Sequence, residues 1–418
     1  MTSQTATAGA PPATAEAGSR LIAVDALRGL AALGVVTFHS APTGHLAWWM
    51  GILKQDLDLG VMVFFTISGA LIAAPFIAAM VDGRRRPSLG NFAIRRAARI
   101  FPAYWVALLG YVVVAQGFAW WQPLAHGLLL MNVLPGQINQ LIYPAWTVEV
   151  EVSFYIALAV TAWVVFRRNR RVGVDAAGLV VLGLWVASLL VTFVADQVTS
   201  PLTSAAEITK YTFPAQLAYI CPGLLLALAG TRAARERGRW WAWLDRLFDR
   251  PWLLAGVIAL FIAGGMVMTA GVFNVTVRDL HREPFAVAAG LLVGGALRHE
   301  RSLRPVTRLI LPVGLITYSL YLWHVVVIHA LRDVHIYPVH AGMLSWPLTW
   351  LLLVSAAVAV GAVSYLFVER PALRWSINRS QLRALGSEKP EALLPHVGHG
   401  EAVPDRGGTT EPEAVATR

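Results

Sequence analysis

Arg28 and His39 stand eleven residues apart in Leu27-Arg-Gly-Leu-Ala-Ala-Leu-Gly-Val-Val-Thr-Phe-His39, a stretch that is otherwise uncharged. At about 100° and 1.5 Å per residue, eleven helical steps return to nearly the same face, roughly 16 Å further along the axis. One stripe then carries a fixed cation near a bilayer surface and a titratable imidazole well inside. Ionisable groups are costly enough within a membrane to mark functional sites. An imidazole held there is a candidate general base.

Two further helices bring titratable groups to the same depth. A helix running inward from about Ala145 puts Glu151 roughly 10 Å below the outer surface, and one running outward from about Leu309 puts His324 in its outer half. A carboxylate beside an imidazole orients it and stabilises its protonated form, so Glu151 is expected next to His39. Glu149 lies two residues away and must point to another face. At the opposite end, Arg96 and Arg99 are helix neighbours at i, i+3, a spacing that can hold phosphate bidentately, and Arg28 emerges at the same surface. Each residue also has a plainer reading. A single histidine can bond two helices, Arg28 can snorkel to headgroups, and arginine runs collect in inner loops. Arg84 to Arg86 and Arg167 to Arg171 are left wholly to that last reading. Ser68 lies mid-helix with no evident base, and it and Gly69 suit close helix approach. Cys221, alone in an apolar run, reads as a packing residue, so neither a disulfide framework nor a cysteine metal site is expected. His329-Ala-Leu-Arg-Asp333 is a chance match to a soluble acyltransferase pattern. No His-Glu-x-x-His, Walker loop or Gly-x-Ser-x-Gly occurs.

These groups need a membrane bundle to position them. The chain has 418 residues, 56% hydrophobic and 14% charged, with a mean hydropathy of +0.58, which excludes an ordinary soluble domain. Spans of about twenty apolar residues read near 21–40, 57–80, 101–120, 145–166, 176–195, 213–230, 252–270, 281–298, 309–331 and 346–368. The fold class is therefore all-α, a polytopic bundle of about ten transmembrane helices in the cell membrane, with both termini cytoplasmic. Basic residues test this map independently: of 34 Lys and Arg, 29 fall in inner segments and five, Lys54, Lys210, Arg278, Arg282 and Arg332, in outer ones. Their scatter over separate loops accounts for the net charge of +10 without nucleic acid. Residues 1–19 and 376–418 read as disordered cytoplasmic tails, leaving 20–375 as one membrane domain. The segment from Trp121 to Pro144, free of Lys and Arg, reads as a re-entrant or interfacial piece over the outer mouth.

In order along the chain, six stretches resemble the membrane acyltransferase-3 family. They are Asp25-Ala-Leu-Arg-Gly-Leu-Ala-Ala through His39, Gly60 to Gly69, Arg96-Ala-Ala-Arg-Ile-Phe-Pro-Ala-Tyr-Trp105, Ala145 to Tyr155, Thr317-Tyr-Ser-Leu-Tyr-Leu-Trp-His324, and Tyr365-Leu-Phe-Val-Glu-Arg-Pro371. The resemblance implies an O-acyltransferase, without an appended hydrolase domain, that moves an acyl group from acyl-CoA to a hydroxyl on a sugar-containing acceptor. A glycan, a glycolipid or a glycoside such as a macrolide would serve. It implies His39 as the base and Arg28, Arg96 and Arg99 as contacts of the CoA. In the family's Trp-x-x-x-x-Glu pattern Trp146 pairs with Glu151. Glu149 then stands where Ser or Thr is usual, and Met62 where many members are polar. Trp146, Tyr155 and His324 are the expected substrate-binding residues; no permanently bound cofactor and no metal are expected. The rival function for the same buried charges is a proton-coupled transporter or exporter.

Overall fold

The computed structural model describes residues 21–40, 57–114, 117–138, 140–198, 204–237, 239–269, 282–334 and 346–385. The expected tail at 1–19, most of the one at 376–418, and Lys54 and Arg278 lie outside the described residues. Among the described residues there is no strand. The long helices are α1 (Ile22–Ser40), α2 (Gly60–Val81), α3 (Leu89–Val114), α4 (Trp146–Arg167), α5 (Val174–Val198), α6 (Phe213–Ala229), α7 (Pro251–Thr269), α8 (Glu283–Arg298) and α9 (Thr317–Asp333). The last, α10, runs unbroken from Trp346 to Leu385, ten residues beyond the boundary expected at 375.

Among the described residues, eight helices are long and apolar enough to cross a membrane. The expected spans at 281–298 and 309–331 are α8 and α9, helices of 16 and 17 residues. They reach about 24 and 26 Å and are packed deep in the bundle. The hub is α2, 72% buried, whereas only 11% of α7 is buried, so α7 presents its apolar surface outward. Glycine sets the tightest crossing. A Cβ at Gly69 would lie 2.5 Å from the Ile220 carbonyl oxygen, and one at Gly223 would lie 2.0 Å from that of Thr66, so α2 and α6 touch backbone to backbone, as small residues permit in membranes. Cys221 sits in this crossing, fully buried and unpaired.

Three local features matter for the site. The start of α1 is capped from another part of the chain, because the Glu300 carboxylate accepts from the Ile22 and Ala23 amides at 2.8 and 2.9 Å. Those amides would otherwise be orphans of the first turn, and the negative charge suits that helix end. Two helices contain π turns, at Ser68–Ile72 in α2 and Tyr365–Glu369 in α10, insertions common at functional sites. The segment before α4 folds inward around buried His126, Asn132 and Gln137. Asn132 ties it down: its amide donates to Glu149 Oε2 at 2.7 Å, and its side chain to the Trp146 and Tyr211 carbonyls at 2.9 and 2.8 Å. Glu149 thus faces away from Glu151, as its spacing requires. Burial pushes the His126 imidazole down to about 4.

Candidate active site

A cavity of about 300 Å³ opens between α1, α2, α3, α4, α9 and α10, at the small end of the range for ligand pockets. We call its arginine-rich end inner. Arg28, Arg96 and Arg99 line that end with Asp25; Ser68, Glu151, Tyr155 and Tyr318 line the middle; Phe64, Thr147 and Tyr321 line the outer end.

The inner end is charge-compensated. Arg28 Nη1 lies 3.4 Å from Asp25 Oδ1. Arg99 is ion-paired with Glu369, a fully buried carboxylate that the π turn of α10 turns inward. The other oxygen of Glu369 accepts from Ser319 Oγ at 2.7 Å. Arg99 also lies over the Tyr318 ring at 5.5 Å. Glu151 Oε1 accepts from the Tyr155 hydroxyl and from Ser68 Oγ, the latter at 3.2 Å. Arg96 differs from the other two guanidiniums. It lies over the rings of Tyr155 at 5.5 Å and Phe92 at 5.9 Å, and its buried Nε has no hydrogen-bond partner. Three cations and the carboxylates of Asp25, Glu151 and Glu369 balance, with Arg96 the cation whose contacts are to Tyr155 and Phe92 and not to a carboxylate.

Neutral groups make the outer end. The Thr147 and Tyr321 hydroxyls are 2.8 Å apart, and both reach the Pro144 carbonyl, at 3.1 and 2.9 Å. Behind Tyr321 the two predicted histidines meet. His324 Nδ1 is 2.7 Å from the Tyr321 carbonyl, and His324 Nε2 is 3.1 Å from His39 Nδ1, which is itself 3.0 Å from the Val35 carbonyl. A carbonyl only accepts, so His324 must carry its proton on Nδ1 and offers a lone pair at Nε2. His39 Nδ1–H then donates to that lone pair and to Val35, which leaves the His39 lone pair on Nε2. The neighbouring imidazole thus fixes the tautomer of His39, with its lone pair on Nε2.

The residues predicted from sequence therefore form two groups. Arg28, Arg96, Arg99, Glu151 and Tyr155 share the cavity, while His39 and His324 form a pair joined to it through Tyr321; His39 itself does not line it. Glu151 does not orient His39: its hydrogen bonds go to Tyr155 and Ser68, because the azimuth of α4 turns it toward the π turn of α2. Ser68, read as lacking a base, has this one. Trp146 is packed between Tyr211 and Phe65, ring centroids 4.8 and 6.2 Å away, outside the cavity lining. Glu369, Ser319, Tyr318, Thr147 and Tyr321 were not singled out. Glu369 had a signal, a lone carboxylate in the apolar run Tyr365-Leu-Phe-Val-Glu.

The acyltransferase-3 pattern, described as an acyltransferase domain, matches residues 21–367. Among known proteins, the exopolysaccharide production protein ExoZ of Rhizobium meliloti (strain 1021) is 31% identical over 333 residues, covering 75% of this chain and 89% of its own. Nodulation protein 10 of Rhizobium leguminosarum bv. viciae is 25% identical over 386 residues, covering 84% of this chain and 92% of its own. No solved structure matches the chain. The ordered motifs, the all-helical membrane bundle and a match across nearly the whole helical region agree: the chain belongs to the acyltransferase-3 family.

Proposed function

We propose that the protein is an O-acyltransferase of the cell membrane, transferring an acyl group from acyl-CoA to a hydroxyl of a sugar-containing acceptor, with His39 as general base. The observation that carries this reading is the tautomer-fixed His39–His324 pair behind Tyr321, which lines the outer end of a cavity whose inner end holds three guanidiniums. The donor enters from the inner side, its phosphates exchanging with carboxylates at Arg28 and Arg99 and meeting Arg96 directly. Its thioester reaches past Tyr321 and Thr147. His39 Nε2 takes the proton of the acceptor hydroxyl as that oxygen attacks the thioester carbonyl. The tetrahedral adduct collapses with cleavage of the carbon–sulfur bond, and the departing thiolate recovers the proton from the imidazolium, releasing CoA thiol and the ester. Relatives named for exopolysaccharide production and nodulation favour a carbohydrate acceptor.

The test is purified protein in lipid nanodiscs with acetyl-CoA and a panel of glycan, glycolipid and glycoside acceptors. Release of free CoA thiol together with one acyl increment on the acceptor is the expected result. Acceptor movement across sealed vesicles without acylation would replace this reading with the transporter.

A further inference from the structure

Two loops at the inner surface each carry a run of arginines, and the fold joins them. Loop 82–88 has Arg84, Arg85 and Arg86, loop 167–173 has Arg167, Arg168, Arg170 and Arg171, and all seven are exposed. The loops are about 80 residues apart in sequence yet joined. The Val172 amide donates to the Met80 carbonyl at 3.0 Å, and the Arg86 guanidinium donates to Asn169 Oδ1 at 2.5 Å and to the Phe166 carbonyl at 3.2 Å. Three guanidiniums elsewhere on this face meet carboxylates: Arg232 and Glu236 at 2.6 Å, Arg298 and Asp249 at 2.5 Å, Arg304 and Glu300 at 3.4 Å. Within the two loops the acid is Asp82, whose oxygens accept from the Arg232 and Ala233 amides at 2.9 and 3.0 Å; Arg84 stands beside it at 3.8 Å. Asp175 follows in the first turn of α5, where a helix start favours it.

Positive-inside placement explains why arginines lie on this side. It does not ask seven of them to converge against so little acid. Their surroundings indicate what fills the balance. Arg167 lies 5.3 Å over the ring of Trp163, which is 48% exposed on the outside of α4, and Arg86 lies 5.2 Å over Phe166. Guanidinium forks above an exposed indole at the rim of a spanning helix match a phospholipid, phosphate above and acyl chains beside. We propose that loops 82–88 and 167–173 form a binding site for the phosphate headgroup of an anionic phospholipid of the inner leaflet, with Trp163 against its chains.

The protein is reconstituted in phosphatidylcholine–phosphatidylglycerol vesicles, extracted, and weighed by native mass spectrometry. Wild type should retain phosphatidylglycerol. Replacing Arg84, Arg85, Arg168 and Arg170 together by Gln should cut retention about tenfold or more, while Arg86 is left in place to hold the loops. A control with Arg301, Arg308, Arg374 and Arg379 changed to Gln removes equal charge from the same side and should retain the lipid. The unfolding midpoint of wild type should rise when phosphatidylglycerol is added, and that rise should vanish in the loop variant only. No retained lipid in wild type, or equal losses in both variants, would overturn the proposal. So would displacement of the lipid by CoA or inorganic phosphate, which would give the arginines to a soluble ligand.

Discussion

The inner end of the cavity is built from charges held in pairs, one within α1 and one between α3 and α10, and the outer end from neutral groups whose hydrogen bonds have a fixed direction. At the inner end Arg99 and Glu369 come from α3 and α10, and Arg28 and Asp25 from α1. A buried cation there is tolerable because an acid neutralises it, and an incoming phosphate can take the acid's place. At the outer end a chain of donors and acceptors runs from the Tyr321 carbonyl through His324 to His39. Under the proposed function the difference separates two tasks: exchange of ionic partners would serve binding, while a single defined lone pair would serve proton transfer.

Changes at either end should therefore fail in different ways. The largest effect is expected from His39→Ala, which removes the base and should lower kcat by about 10²–10⁴ with KM for acetyl-CoA and thermal unfolding little altered; a KM effect instead would move His39 to the binding end. Next, Arg99→Met should strand the buried Glu369 carboxylate and cost up to about 3–5 kcal/mol of stability, read by thermal unfolding, with Arg99→Met/Glu369→Gln recovering most of the stability but not the affinity for the donor. If the double variant is no more stable than the single, the pair is not what holds α3 to α10. His324→Leu removes the acceptor of His39 Nδ1–H and should slow turnover about tenfold or more, whereas His324→Gln, which keeps an oxygen acceptor, should lose less. Equal losses would mean that packing, not tautomer control, is the role of His324.

The smallest effect concerns the segment over the outer end. His126 holds its proton less tightly folded, about 4, than unfolded, about 6.5. The unfolded segment binds more protons in that window, so stability is full above about pH 6.5 and declines as the pH falls toward 4. Proteolytic cutting within 117–138 should accelerate over that interval in wild type and stay flat in His126→Gln.

Much of this was legible in the sequence, and the failures have physical causes. Composition and the spacing of Arg28 and His39 located α1 and its stripe, because periodicity along one helix depends only on that helix. Depth was legible too, which is why His324 was placed level with His39. Azimuth was not. Residue counting fixes how far along its axis Glu151 lies, but which neighbour it faces depends on how α4 packs against α2, and it faces Ser68 and Tyr155. Glu369 stands out in its apolar run, but the direction it faces was hidden by the π turn, which adds a residue and shifts the phase of the side chains. The convergence of Arg84 to Arg86 with Arg167 to Arg171 was invisible for a similar reason: each run looks ordinary until the loops are seen joined.

The capping of α1 by Glu300 bears on how the molecule is assembled. The first spanning helix leaves the ribosome early, yet three of its anchors are made late. Glu300 grips its start, His324 meets its far end, and Trp350 donates from its indole nitrogen to Thr37 Oγ1 at 2.9 Å. Synthesis runs from the N-terminus, so the helix bearing His39 first packs on α2, where a Cβ at Gly60 would lie 2.3 Å from the Ala31 carbonyl oxygen, and gains these three contacts only when the last third of the chain has been inserted. Chains truncated before residue 300 would therefore hold His39 against Val35 and Tyr143 but without the His324 imidazole that fixes its tautomer.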